Sequence, residues 1–255
     1  MSDDRRAIQK EFERVADLFA ERTKGRFDDL DAVTFSRVRP GSLVAEVGAG
    51  TGNFLTLFSN VTGRLLAIDL TPAMLEVARR KQEGIEVLAA DGAKLPIASR
   101  SIDLVATAQA LHHIHEPVPV ISEMGRVAKE DGNVLIVDQV CTESYENAAI
   151  MNELEVIRDP THAATRPASA FRIMVQKAGL EIVDERLWQG RARFSEWMWR
   201  GEFPQERIAA TLGFIEKFGG ATGMNWEREG DDWTYTRRRL MILAARSRAP
   251  GKISV

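Results

Sequence analysis

The sequence predicts a doubly wound α/β fold, and three observations carry that prediction. Apolar runs of strand length, at 43–48, 65–70, 85–91, 102–109 and 133–140, are separated by segments of helical spacing. The runs are nearly all apolar, as strands buried on both faces of a parallel sheet must be. The first run ends in a bare glycine loop, LVAEVGAGTGNF, at the point where such a fold places its ligand.

Taken in order, residues 5–39 carry Ile8, Phe12, Val15 and Phe19 on one face and Leu30, Val33, Phe35 and Val38 on the next, which predicts two helices ahead of the main fold. Pro40-Gly41 breaks the chain, so 1–39 is expected as an amino-terminal helical lid and 40–255 as the main domain. The first strand is followed by a helical pattern over 51–60. After the second strand, Thr71-Pro72 predicts a helix start with the threonine hydroxyl as cap and proline at its first position; Gly84 stops that helix. The segment 118–128 is helical and leads to the fifth strand. Beyond it, 143–160 and 167–178 read as helices, 180–188 as a strand, 194–219 as helical, 219–223 (GGATG) as a loop and 233–246 as a long closing strand. Segments 143–178 and 193–232 are expected to form helical insertions on the substrate side.

The 255 residues hold 34 Lys plus Arg and 37 Asp plus Glu, a net charge of -3, so no basic excess points to a nucleic-acid partner. No apolar run is long enough to cross a bilayer. The charged start MSDDRRAIQKEFERV is unlike a signal peptide, and Cys141, the one cysteine, excludes an internal disulfide. The expectation is a cytoplasmic protein, monomer or homodimer.

The glycines decide the ligand. Without a Cβ, glycine permits positive φ and lets a ligand lie against the main chain. Asp69 closes the second strand, where a carboxylate can accept both hydroxyls of a ribose. Asp91, followed by Gly92-Ala93, closes the third, where it can accept from an exocyclic amine or else cap a turn. A dinucleotide site wants G-x-G-x-x-G, with pyrophosphate on the next helix's amino terminus. Here the spacing is Gly48, Gly50, Gly52, with Glu46 two residues upstream. That acid is poor company for pyrophosphate and good company for an ammonium and a sulfonium.

These stretches resemble the class I S-adenosylmethionine-dependent methyltransferases. EVGAGTGNF is similar to their first motif, and LLAIDLTPAMLEVARRK to the second. VLAADGAKLPIASRSIDLVATAQALHHIHEP and EMGRVAKEDGNVLIVDQV resemble the runs that follow, so the likeness spans roughly residues 40–140. The AQALHHI wording is most similar to the ubiquinone and menaquinone biosynthesis C-methyltransferases and many small-molecule methyltransferases. The resemblance implies a seven-stranded Rossmann-like sheet of order 3-2-1-4-5-7-6, the last strand antiparallel. It implies S-adenosyl-L-methionine as cofactor, bound by Glu46, Gly48, Ala49, Gly50, Asn53, Asp69, Leu70, Met74, Asp91, Gly92, Ala93, Gln109 and Ala110. Gly48 and Gly50 would lie along the methionine part with Asn53 nearby, Met74 beside the adenine, and Gln109 and Ala110 around the methyl group. Relatives often have a tyrosine in the amino-terminal helix; this chain offers Phe12 and Phe19, with Arg22 as a substitute.

A small organic acceptor, apolar or aromatic, is expected, methylated on carbon or oxygen. Methyltransferases of amide or exocyclic nitrogens often carry N/D-P-P-Y/F where this chain has AQALHHI. His113 is the candidate base or orienting group. His112, His113 and His115 lack the i, i+4 spacing of a helical zinc site, so no metal is expected. Arg158, Asp159, His162 and Arg166 form a second cluster that either binds an acceptor anion or pairs internally, the latter being favoured. Trp188, Trp197, Trp199, Phe194 and Phe203 supply core and pocket walls. Two other readings stay open: an NAD(P)-dependent oxidoreductase, and a non-catalytic protein that binds S-adenosylmethionine.

Overall fold

Five strands pair in parallel in the computed structural model, which describes residues 16, 18, 20, 21, 23–198 and 203–247. They are β1 (Val44–Val47), β2 (Leu65–Asp69), β3 (Ile85–Ala89), β4 (Ile102–Ala108) and β5 (Ala128–Cys141), in the spatial order β3-β2-β1-β4-β5. Two short strands, β6 (Arg166–Pro167) and β8 (Glu227–Glu229), and two long ones, β7 (Leu180–Arg193) and β9 (Asp232–Arg246), complete the sheet. β9 runs antiparallel between β5 and β7. This is the order expected from the sequence, with the closing strand antiparallel and inserted ahead of β7, which precedes it in the chain; β6 and β8 are additions off this path.

Alternate residues of each strand feed opposite faces, as the pleat requires. Val44, Leu104 and Leu135 join Phe54, Leu55 and Phe58 in one buried cluster. Ala45, Val105 and Val134 join Val120, Ile121 and Met124 in the other. The helices are α1 (Ala32–Ser36), α2 (Pro72–Lys81), α3 (Pro117–Val127), α4 (Tyr145–Arg158), α5 (Ala168–Lys177), α6 (Phe194–Trp197) and α7 (Gln205–Phe218). A third cluster, with Met151, Phe194, Met224 and Tyr235, lies over the carboxyl edge of the sheet, where β5 and β7 end and β9 begins.

Several elements differ from the sequence reading. The helix expected over 51–60 is only a 3-10 turn, Leu55–Phe58, because the loop itself consumes residues up to Phe54 before a helix could nucleate. The helical stretch at 194–219 divides into α6 and α7, and its last residues with GGATG make a second 3-10 turn, Gly219–Ala221. β7 continues to Arg193, beyond the expected 188, because it stays paired with β9 through Arg193↔Thr234. Thr71 occupies the N-cap of α2 but its hydroxyl makes no cap bond; it hydrogen-bonds Asp69 instead. The amino-terminal helix through Ile8, Phe12, Val15 and Phe19, with Arg22, lies outside the described residues, as does Trp199.

Residues 26–29 are fastened across the sheet by one side chain. Arg239 of β9 is buried, pairs with Asp29, donates from Nη1 to the Arg26 carbonyl at 3.0 Å and lies with Cζ 4.3 Å from the Trp188 ring centroid. A segment far upstream is thereby held at the carboxyl edge.

Candidate active site

The strand order reverses around β1, and the crevice there opens into a cavity of about 700 Å3. Its wall is the glycine loop. Gly48 and Ala49 donate their N–H groups to the Ile68 carbonyl at 2.8 and 3.0 Å, which bends the chain off β1. Gly48, Gly50 and Gly52 have φ of 71°, 52° and 75°, the left-handed region that disfavours other residues. A Cβ on Gly48 would stand 2.6 Å from the Ala110 Cβ, so the two loops touch through a bare backbone.

Asp69 ends β2 and fixes this loop. Its Oδ2 accepts from Gly50 N–H and its Oδ1 from Thr71 N–H, both at 2.8 Å. Burial pushes its carboxyl up, against these donors, which favour the ionised form. The Thr71 hydroxyl and the Leu70 backbone bond it as well, and the carboxylate lines the cavity beside them. Asp91 lies two residues beyond the end of β3, where its Oδ1 accepts from Ala93 N–H at 2.9 Å. It thus closes the turn the sequence allowed as an alternative, and it lines the same cavity with Gly92 and Ala93.

The cavity gathers every residue expected to contact the cofactor: Glu46, Gly48, Ala49, Gly50, Asn53, Asp69, Leu70, Met74, Asp91, Gly92, Ala93, Gln109 and Ala110. Three polar atoms on this wall, Glu46 Oε2, Thr107 Oγ1 and Gln109 Nε2, are buried without a hydrogen-bond partner. Buried polar atoms of that kind can pair with a ligand's donors and acceptors, and a bare cradle, two strand-end carboxylates and a buried acid suit a cationic nucleoside. Gln109 is held in the left-handed region, φ 54°, while its Oε1 accepts from Arg26 Nη2 at 2.9 Å. Thr107, Arg26 and Thr23, which also line the cavity, were not anticipated from the sequence.

The three neighbouring histidines have separate fates. His112 is buried, with Nδ1 2.7 Å from Asp138 Oδ1; burial holds it well below its ordinary value and pushes Asp138 up to about 6. Asp138 also accepts from the Leu111 N–H, so the pair shapes the 3-10 turn Leu111–His113 after β4. His113 Nδ1 lies 3.1 Å from the Thr161 carbonyl, which can only accept, so Nδ1 carries the proton and Nε2 is left as the basic nitrogen. His115 borders the cavity mouth. Among the described residues no three His, Cys, Asp or Glu side chains come together as a metal site.

His113, Gln109, Arg26 and Thr23 also line a second cavity, of about 460 Å3, which adjoins the first through them. Its walls come from α4, the ends of β7 and β9, and the segment before α7. The cluster at 158–167 is largely internally paired. Arg158 bridges Glu155 at 2.9 Å, Asp159 accepts from Thr161, and His162 meets Asn152 at 2.9 Å. Arg166 donates to the carbonyls of Leu111, Ile114 and His115, holding the histidine turn in place.

A family model described as a methyltransferase domain matches residues 45–136, the span from β1 into β5 that carries the glycine loop, Asp69, Asp91 and Gln109. The chain therefore carries, over residues 45–136, a methyltransferase domain of the S-adenosylmethionine-dependent class. It is an enzyme of that class, and S-adenosylmethionine is its cofactor. It is similar to the uncharacterized methyltransferase YcgJ of Bacillus subtilis, 27% identical over 77% of this chain and 80% of that protein. The YcgJ crystal structure superposes with a TM-score of 0.75 at 22% identity, covering 85% of this chain and 96% of that one. The probable tRNA methyltransferase 9B of Bos taurus is 33% identical over 52% of this chain but only 30% of its own length. The demethylmenaquinone methyltransferase of Renibacterium salmoninarum is 32% identical over 39% of this chain and 42% of that protein. With these two the chain shares less than half of the relative's length. These matches are to methyltransferases and not to oxidoreductases. No helix among the described residues is long and apolar enough to cross a membrane.

Proposed function

We propose that this methyltransferase alkylates carbon or oxygen of a small organic acceptor seated in the second cavity. The observation that carries this reading is the seam between the two cavities, where His113 and Gln109 face both. When bound, S-adenosylmethionine supplies an electrophilic methyl group, whose bond to sulfur breaks with the electron pair left on sulfur. The chain's part is to hold the acceptor atom in line in a dry space and to take its proton. His113 suits that role, because the Thr161 carbonyl fixes its tautomer and Asp159 orders Thr161 through its N–H and hydroxyl at 2.9 and 2.7 Å. Helices α4 and α7 would then belong to the substrate-side insertions, while α5 packs in the sheet core through Phe171, Met174 and Val175, and residues 23–31 would be part of the lid.

Product formation with a panel of phenols, quinol precursors and prenyl-type acceptors tests this reading. His113→Gln should lower kcat by about 100-fold while leaving the affinity for S-adenosylhomocysteine within about twofold. Rates that are unaffected at every pH would remove His113 from the mechanism. A protein that binds the cofactor but methylates no member of the panel would remove these acceptor classes from the reading.

Glu46 supplies a second test. Burial holds its carboxyl well above the usual carboxylate range, the Leu55 backbone opposing this and Asp69 adding to it. With the folded-state pKa raised, the folded chain keeps a proton that the unfolded chain releases above its ordinary pKa. Stability is therefore lost as pH climbs from that value towards the folded one. Glu46→Gln should flatten this dependence in thermal melts between roughly pH 5 and 8, to the extent of raising the ligand-free Tm at the upper end. It should also weaken S-adenosylmethionine by about 10- to 100-fold, the worth of one hydrogen bond to a charged group. A variant that melts with the parent's pH dependence and binds the cofactor normally would remove Glu46 from the site.

A further inference from the structure

The second cavity has a charge pattern that its paired neighbours do not cancel. Seven cationic side chains line it against four carboxylates among the described residues. Most are engaged: Arg158 with Glu155, Arg193 with Glu229, Arg238 with the Gly223 carbonyl, and Arg207 over the Phe203 ring. Two stand apart. Arg26 donates its side-chain hydrogen bond to the neutral Gln109 amide. Arg237 has its Nε buried without a partner, and its guanidinium carbon is 5.8 Å from the Trp188 ring centroid.

These two guanidinium groups repel. Burial first, then Arg237 and Arg158, depress Arg26 to about 10, with Tyr235 opposing and Arg239 adding to the effect. A desolvated cation crowded by other cations is costly, and a bound anion offsets that cost. Guanidinium groups suit carboxylate and phosphate oxygens because their donors are planar and forked. Beside them the wall turns aromatic: Trp197 and Tyr235 lie 5.5 Å apart between ring centroids, and Trp226 packs 4.6 Å from Tyr235. Arg158 and Arg166, the other candidates for holding an acceptor anion, are committed to Glu155 and to backbone carbonyls.

We propose that the second cavity binds an aromatic or apolar acid, its carboxylate or phosphate ester held between Arg26 and Arg237 and its body against Trp197 and Tyr235. The inference deepens the reading of this cavity as the acceptor site and rests on it. The anionic group anchors one end of the acceptor, leaving the other to reach the seam at His113.

The test is calorimetric titration of the full chain, with and without saturating S-adenosylhomocysteine, using 4-hydroxybenzoate, phenyl phosphate and the neutral methyl 4-hydroxybenzoate. At least one of the two acids should bind about tenfold or more tightly than the ester, and which one does so distinguishes a carboxylate from a phosphate site. Arg237→Gln should cut that affinity about tenfold and leave S-adenosylhomocysteine binding within about twofold, while Arg237→Lys should restore part of it. Should the Arg237 variants fail to fold, Arg26→Gln should likewise cut the affinity for the acid about tenfold, read on the acid titrated without S-adenosylhomocysteine. Equal or tighter binding of the ester, no binding of either acid, or indifference to both arginine variants would overturn the proposal. Loss of S-adenosylhomocysteine binding by the unaltered chain would instead strike the donor-site assignment, since the acids are also titrated without it.

Discussion

Replacing Gly48 by alanine should abolish measurable S-adenosylhomocysteine binding and destabilise the protein by roughly 2–5 kcal/mol. Two independent effects add at this position. The residue sits at φ 71°, where an L side chain is strained, and the new methyl would meet the Ala110 Cβ at 2.6 Å. Neither neighbour can yield cheaply. Gly48 is tied to the Ile68 carbonyl, and Ala110 leads into the turn fixed by His112, Asp138 and Arg166. Relief must therefore come from moving the loop that borders the cofactor. Gly63→Ala is the matched control, because no atom lies within 4 Å of its added Cβ and its φ is not positive; its melting temperature should move by little. Thermal denaturation and calorimetry of the two variants decide the point, and a Gly48→Ala protein that melts and binds like the parent would refute the close-packed cradle.

The parallel sheet was legible because its strands are buried on both faces, and continuous apolar runs bounded by Gly, Pro and Asp leave few other assignments. The glycine loop and Asp69 were legible because the chemistry is local: donor and acceptor lie 19 residues apart across one strand–loop–strand unit. The turn at Leu55–Phe58 was not, since a short stretch of apolar spacing fits an α-helix and a 3-10 turn equally well. Thr71 has the sequence of a helix cap, yet the stronger acceptor two residues upstream takes its hydroxyl. The arginines of β9 were hidden for another reason. A triple Arg237–Arg239 within a strand suggests an exposed face, and only the return of the chain brings Asp29, 210 positions away, against Arg239. Its signal was the position of the triplet, immediately before the fully apolar run Leu240–Ala244, where a strand enters the core. Likewise, the three histidines look equivalent in the sequence. Asp138 at the end of β5 and Thr161 beyond α4 are what separate them.

The second large effect belongs to the strand-end carboxylates. Asp69 holds Gly50 and Thr71 and lines the cavity, so its removal takes away both the expected ribose acceptor and the loop's anchor. Asp69→Ala should weaken S-adenosylhomocysteine about 100-fold, and the double variant Asp69→Ala, Asp91→Ala about 1000-fold or more, each lost charge-assisted hydrogen bond being worth roughly 1.5–3 kcal/mol. Circular dichroism confirms that the variants remain folded before they are compared. The deciding measurement is the calorimetric titration of the parent and double variant with S-adenosylhomocysteine, alongside NADH. Tight binding of the sulfur nucleoside by the parent alone, with no heat from NADH, is the predicted result; undiminished affinity in the double variant, or a preference of the parent for NADH, would contradict it.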